Sequence, residues 1–174
     1  MNKIATISFS GGMDSTSLLL HLIKNNYKVY ALSFNYGQKH KLEIKRAVNN
    51  IEYLSANGIK INNKIINIED CTNILSSSLT DDNKSIPKGY YEDESMKDTF
   101  VPNRNSIFTS ILYGYALTLL KKLNNSNVMI SLGVHSGDHS IYPDCREEFY
   151  IKLFDSFKTG NWNSDKINLH LPYL

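Results

Sequence analysis

The chain has 174 residues, 19 Lys and Arg against 17 Asp and Glu, and a net charge of +2. That length fits a single domain, 1–174, with a sizeable core, and that charge gives no electrostatic case for nucleic acid. Two cysteines, Cys71 and Cys145, exclude a disulfide scaffold and a four-cysteine metal site, and no apolar run reaches membrane-spanning length, so a cytoplasmic protein is expected.

Ile4 to Phe9 is an apolar run and predicts a first strand. Ser10-Gly11-Gly12-Met13-Asp14-Ser15-Thr16 follows, and Leu18, Leu19, Leu22 and Ile23 mark a helix from about Asp14 to Asn25. Val29 to Phe34 predicts a second strand, buried on both faces. A second helix spans Lys39 to about Ala56, with Ile44, Ala47, Val48, Ile51 and Leu54 at helical spacing and Asn57-Gly58 as its stop. Lys60 to Ile68 predicts strand three. Glu69 to Phe100 has no clean period, and loops of that length are usually functional or disordered. A third helix runs from Asn103 to about Lys122, with a wide apolar stripe that reads as core. Val128 to Val134 predicts strand four, and a fourth helix starts at Pro143 and reaches Lys158. Lys166 to Leu171 alternates and predicts a fifth strand at an edge.

Strands alternating with helices predict an α/β fold: a doubly wound parallel sheet of about five strands with helices on both faces. Ligands of such sheets sit at the carboxyl ends of the strands. The polar clusters fall there: Ser10 to Thr16, Asn35 to Lys41, the long loop, and His135 to Arg146.

A strand, a glycine turn and a helix N-terminus make an anion site. Gly11 and Gly12 let the backbone come close to a ligand, while Ser10, Ser15 and Thr16 add hydroxyl donors. Asp14 would repel a bare phosphate, and a cation resolves this, so a nucleotide with Mg²⁺ is expected. The string fits neither the Walker spacing nor the G-x-G-x-x-G spacing. Pro102 fixes the entry to the third helix and holds Arg104 beside the strand ends, where a guanidinium clamps phosphate or carboxylate. Asp138 and Asp144 are carboxylates suited to the N–H pair of a guanine-like edge. His135 and His139 lack an obvious third ligand, so no metal is assigned to them. Cys145 reads as a small packed residue, since neighbouring Asp144 raises its pKa.

SGGMDST resembles the pyrophosphate loop of the N-type ATP pyrophosphatases. With Asn35-Tyr36-Gly37-Gln38-Lys39-His40 and Glu43, Ser78-Leu79-Thr80, Thr99 to Asn105, and Tyr142 to Phe149, the chain resembles the 7-cyano-7-deazaguanine synthase family within that group. The resemblance implies ATP-dependent conversion of 7-carboxy-7-deazaguanine and ammonia to the nitrile, a queuosine precursor, through an adenylated intermediate. It implies catalytic roles for Asp14, Arg104 and Lys39. It places the nucleotide at Phe9, Ser10, Gly11, Gly12, Met13, Asp14, Ser15, Thr16, Ser17, Phe34 and Gly133. It places the substrate at Tyr36, Gln38, Arg104, Asn105, Asp138, Tyr142 and Asp144. ATP and Mg²⁺ are the implied cofactors. The partners are the small-molecule substrate and ammonia, with a homodimer as an option and no direct nucleic acid or membrane contact. Family members also carry a zinc-binding cysteine cluster near the C-terminus. Its ligands are missing here, so the chain reads as truncated and is expected to be impaired alone. Two rivals stand beside this reading: a relative that transfers the adenylated carboxylate to another amine, such as a protein terminus, and an incomplete nucleotide-binding fragment.

Overall fold

The structure, a computed structural model, describes residues 3–39, 42–81, 94–124, 127–138 and 142–174, without the side chains of 94–96 and 138. Five strands form one sheet: β1 (Lys3–Ser8), β2 (Tyr27–Asn35), β3 (Asn62–Asn67), β4 (Val128–Ser131) and β5 (Ile167–His170). Their order is β3-β2-β1-β4-β5 and all neighbours are parallel, with Ala5 opposite Val29 on one side and Met129 on the other. The helices are α1 (Met13–Lys24), α2 (Leu42–Ala56), a short α3 (Glu69–Thr72), α4 (Arg104–Lys122) and α5 (Glu147–Gly160).

Strand parity explains the double winding. Successive side chains point to opposite faces, so one continuous apolar strand can feed two cores. Ala5, Ile7, Phe9, Val29 and Ala31 pack with Leu18, Leu19 and Leu22 of α1 and with Ala47 and Leu54 of α2. Ile4, Tyr30, Leu32, Ile130 and Ile167 take the other face, against Leu112, Tyr113 and Ala116 of α4 and Tyr150 and Phe154 of α5. β3 and β5 are the edges. On β5 the alternation holds: Ile167 is buried, Leu169 and Leu171 pack against the same core, and Asn168 is exposed.

The chain lays down β2 and β3 on one side of β1, then β4 and β5 on the other. The switch point therefore lies between β1 and β4, and their carboxyl ends diverge there into a crevice.

Several boundaries differ from the sequence expectation for local reasons. Strand four stops at Ser131: Leu132 N–H still donates to His170 O at 3.2 Å, and beyond it the chain turns out to line that crevice. The helix expected from Pro143 begins at Glu147: residues Pro143–Cys145 form a 3₁₀ turn, and Arg146 is extended (φ −82°, ψ 145°), which interrupts the α ladder. Lys39 is not helical; its N–H donates to Leu79 O at 3.0 Å, and α2 starts at Leu42. The end of α2 is as expected. Gly58 takes φ 81°, and the N–H groups of Gly58 and Ile59 reach back to Ser55 O and Leu54 O in a Schellman turn. The segment without a period holds α3 and a 3₁₀ turn at Glu94–Thr99, and residues 82–93 lie outside the described residues. Among the described residues no helix is long and apolar enough to cross a membrane.

Candidate active site

A cavity of about 290 Å³ opens at the switch point. It is lined after β1 by Ser8, Phe9, Ser10, Gly12, Met13, Asp14 and Ser15, and after β4 by Leu132, Gly133 and Val134. Glu43 and Ile44 come from α2, which packs against the loop on the α1 side of the sheet, and opposite stand Phe34, Tyr36 and Gln38 of β2 and its turn, with Arg104, Asn105, Phe108 and Thr109 of α4.

The glycine loop is held by its own hydroxyls. Gly12 N–H donates to Ser10 Oγ at 3.2 Å, Ser15 Oγ donates to Gly12 O at 3.2 Å, and the two serine hydroxyls lie 3.2 Å apart. The two glycines do different things. Gly11 has φ +76°, and a Cβ there would sit 2.4 Å from Ala47 N of α2. Gly12 has ordinary backbone angles (φ −73°, ψ 174°), meets only Ser10 Oγ at 3.3 Å, and faces the cavity. Gly133 packs behind the loop, its missing Cβ 3.5 Å from Ser15 N. Thr16 faces α2, where Asn50 Nδ2 donates to its Oγ1 at 3.2 Å and to Gly11 O at 3.4 Å. Gly11, Thr16 and Ser17 do not line the cavity. The helical rotation of about 100° per residue turns Thr16 and Ser17 away from the wall that Asp14 and Ser15 form. Asn50 had no motif to mark it.

On the opposite wall Arg104 is the centre. Its Nη1 donates to Tyr36 Oη at 3.4 Å, its guanidinium lies 5.7 Å from the Tyr36 ring and 6.0 Å from the Phe108 ring, and its Nε donates to Asn105 Oδ1 at 3.3 Å. Phe108 in turn stacks on Phe34 at 4.2 Å with the rings 6° from parallel. Burial works against the Arg104 charge, but Tyr36, Asp144 and Cys145 hold its pKa above the ordinary value. Burial raises the Tyr36 phenol, and Arg104 opposes the shift, so Tyr36 keeps its proton at neutral pH. Asp144 lies behind Arg104 and not on the cavity wall; it is 8% exposed. Burial raises its carboxyl, while the Arg104 charge and the N–H groups of Asp144 and Asn105 pull it down. That carboxylate thus caps the first turn of α4 and faces the guanidinium together.

Gln38 lines the cavity but spends its amide on the loop: Tyr36 N–H donates to Oε1 at 2.9 Å and Nε2 donates to Phe34 O at 3.1 Å. Thr72, fully buried, donates to Tyr36 O at 2.8 Å. None of these three hydrogen bonds could be read from spacing. Asn105 lines the cavity and its Nδ2 meets Cys145 Sγ at 3.8 Å, so Cys145 is a packed residue as expected. Tyr142 is away from the cavity; its Oη meets Thr99 Oγ1 at 2.5 Å and ties the two segments together. The side chain of Lys39 is not among the cavity residues. The side chain of Asp138, and all of His40 and His139, lie outside the described residues. Among the described residues no group of three His, Cys, Asp or Glu could hold a metal ion, so they offer no zinc site.

The queuosine biosynthesis protein QueC family matches residues 4–174. The chain belongs to this family. The 7-cyano-7-deazaguanine synthase of Pseudoalteromonas translucida is 39% identical over 174 residues, which cover all of this chain and 74% of that protein. That of Caldicellulosiruptor saccharolyticus is 44% identical over 170 residues, 98% of this chain and 70% of its own length. A solved structure, a predicted subunit of tRNA methyltransferase from Methanocaldococcus jannaschii, aligns with a TM-score of 0.55 at 16% identity, over 99% of this chain and 68% of that one. That likeness is one of fold, and it agrees with the doubly wound sheet expected from sequence.

Proposed function

We infer that the chain makes 7-cyano-7-deazaguanine from 7-carboxy-7-deazaguanine, ammonia and ATP. The observation that carries this reading is the pairing, across one cavity, of a glycine–hydroxyl loop at a helix start with a half-buried arginine whose charge the Asp144 carboxylate supports. In a QueC family member the first suits a triphosphate and the second suits an anionic, carboxylate-bearing base.

ATP enters as a substrate. Ser10, Gly12, Met13, Asp14 and Ser15 cradle its phosphates, with Phe9, Phe34 and Gly133 bounding the nucleotide. The oxygen set of Asp14, Ser10 and Ser15 suits Mg²⁺, which when bound would offset phosphate charge. The substrate carboxylate oxygen attacks the α-phosphorus, pyrophosphate leaves, and a mixed anhydride with AMP forms. Arg104 stabilises the charge that builds on the transferring oxygens. Tyr36 and Asn105 orient the deazapurine from the same wall, and Asp144, behind Arg104, keeps the guanidinium aimed. Gln38 fixes the Tyr36 turn. Ammonia then displaces AMP to give the amide, and a second adenylation of the amide oxygen allows loss of AMP to the nitrile.

The test is exchange of labelled pyrophosphate into ATP, with and without 7-carboxy-7-deazaguanine, followed by mass analysis of the product after ammonium is added. Exchange that depends on the carboxylate, and a product at the mass of the nitrile, are expected. Exchange without any need for the deazapurine, or acylation of a different amine, would overturn this reading.

A further inference from the structure

Glu43 has no role in the reaction as described so far, yet it lines the cavity from the first turn of α2. Both substrates are anions, so a second carboxylate on the Asp14 side of the cavity weakens their binding by charge repulsion. Asp14 has an all-oxygen neighbourhood that suits a hard cation. Glu43 does not share it. Its neighbours across the cavity are Tyr36, whose phenol feels the Glu43 charge, and Arg104. Among the described residues Glu43 makes no ion pair or hydrogen bond. A solvated carboxylate on the cavity wall, unpaired among the described residues, has one useful partner in this chemistry: the only cationic reactant, ammonium.

We propose that Glu43 binds ammonium and takes its proton at the amide-forming step. The proposal rests on the reaction inferred above. In neutral water the nitrogen arrives mainly as ammonium, which has no lone pair to attack with. Transfer of one proton to the Glu43 carboxylate frees that pair. The C–N bond forms at the acyl carbon, and the C–O bond to the phosphoryl oxygen breaks. AMP leaves with that electron pair. Glu43 releases its proton to solvent through the open side of the cavity and accepts the second proton that the new amide nitrogen sheds. Arg104 faces the developing oxyanion from the other wall, so base and electrophilic support meet at one carbon.

The experiment compares Glu43→Gln and Glu43→Asp with the unaltered protein in two assays. Carboxylate-dependent pyrophosphate exchange contains no ammonia and reports adenylation alone. Ammonium-dependent amide formation is followed across pH. In the Gln variant we expect exchange to persist and amide formation to fall by about 10²–10⁴-fold at neutral pH. The deficit should shrink at alkaline pH, where free ammonia replaces ammonium, and Glu43→Asp should recover part of the rate. Exchange falling as far as amide formation would overturn the proposal and move Glu43 to the nucleotide site. A deficit that ignores pH, or no deficit, would overturn it too. Absence of exchange in the unaltered protein would instead remove the functional reading, and the proposal with it.

Discussion

The phosphate-side wall of the cavity is built around one stretch, Ser10 to Ser15, while the opposite wall assembles Tyr36, Arg104 and Asn105 from a turn and a helix. The first wall is a local structure. Its hydroxyl hydrogen bonds run between residues two to five apart, with one distant brace from Asn50 Nδ2 to Gly11 O. The second wall has hydrogen bonds that span 68 residues, from Arg104 to Tyr36, and 40, from Asn105 to Cys145. A local wall forms whenever its strand and helix form. A distributed wall needs α4, the 143–145 turn and the β2 turn docked at once, so its chemistry depends on packing far from the ligand.

The largest effect that would break this contrast comes from the two glycines. Gly11→Val places a β-branched residue at φ +76° with its Cβ on the backbone of Ala47. The left-handed backbone alone costs roughly 1–2 kcal/mol, and the clash adds more, on the order of 3 kcal/mol in all. A clear fall in the urea midpoint is expected. Gly12→Val has permitted backbone angles and one side-chain neighbour, Ser10 Oγ. It should fold with nearly unchanged stability and lose ATP binding, read by titration calorimetry. Equal destabilisation by both would show that the loop is less local than its hydrogen bonds imply.

Asp144→Asn tests the distributed wall. It removes the charge facing Arg104 and leaves part of the cap on α4. Substrate should bind roughly tenfold or more weaker, a loss of about 1–3 kcal/mol. ATP affinity, set by the other wall, should hold. A variant with native affinity for the carboxylate would mean that Arg104 needs no carboxylate behind it.

The sheet, its parallel sense and the edge position of β5 were all legible, because strand runs and helical stripes are short-range patterns. The glycine loop was legible for the same reason. What spacing does not carry is a residue's second neighbour in space. Thr16 belongs to a loop motif, but Asn50 claims its hydroxyl. Gln38 and Tyr142 sit in the right motifs, but one holds a turn and the other ties 142 to Thr99. Asp144 was singled out as a direct substrate contact, whereas the structure sets it behind Arg104. Glu43 was visible in its motif and carried no role until the cavity showed which way it lies.

Acid should separate the two sides of the sheet by a smaller amount. His170 of β5 stacks on His21 of α1 at 6.5 Å, and its Nδ1 lies 2.8 Å from Ser131 Oγ. Burial lowers the His170 pKa, and the His21 ring lowers it further. An unfolded histidine titrates near about 6.5, so between that value and the lower folded one the unfolded chain binds more protons. Stability should therefore fall as pH drops through this window and be restored above it. His170→Asn should flatten the urea midpoint against pH. An unchanged slope would show that the edge strand is not coupled to α1 through this pair.

The smallest effect probes the packing that sets the distributed wall. Tyr113 of α4 is 2% exposed and lies against Phe154 at 5.5 Å and Phe157 at 4.8 Å, both on α5. Its hydroxyl has no hydrogen-bond partner among the described residues. A buried hydroxyl without a partner has lost its water and gained nothing, while the ring still fills the α4–α5 interface. Tyr113→Phe keeps the ring and removes the desolvated group. Stability should rise slightly, by about 0.5 kcal/mol, with turnover unchanged because Arg104 and Asp144 stay docked. A loss of stability would mean that the hydroxyl is satisfied. A loss of turnover at unchanged stability would mean that the interface steers Arg104 through that hydroxyl and not through ring packing alone.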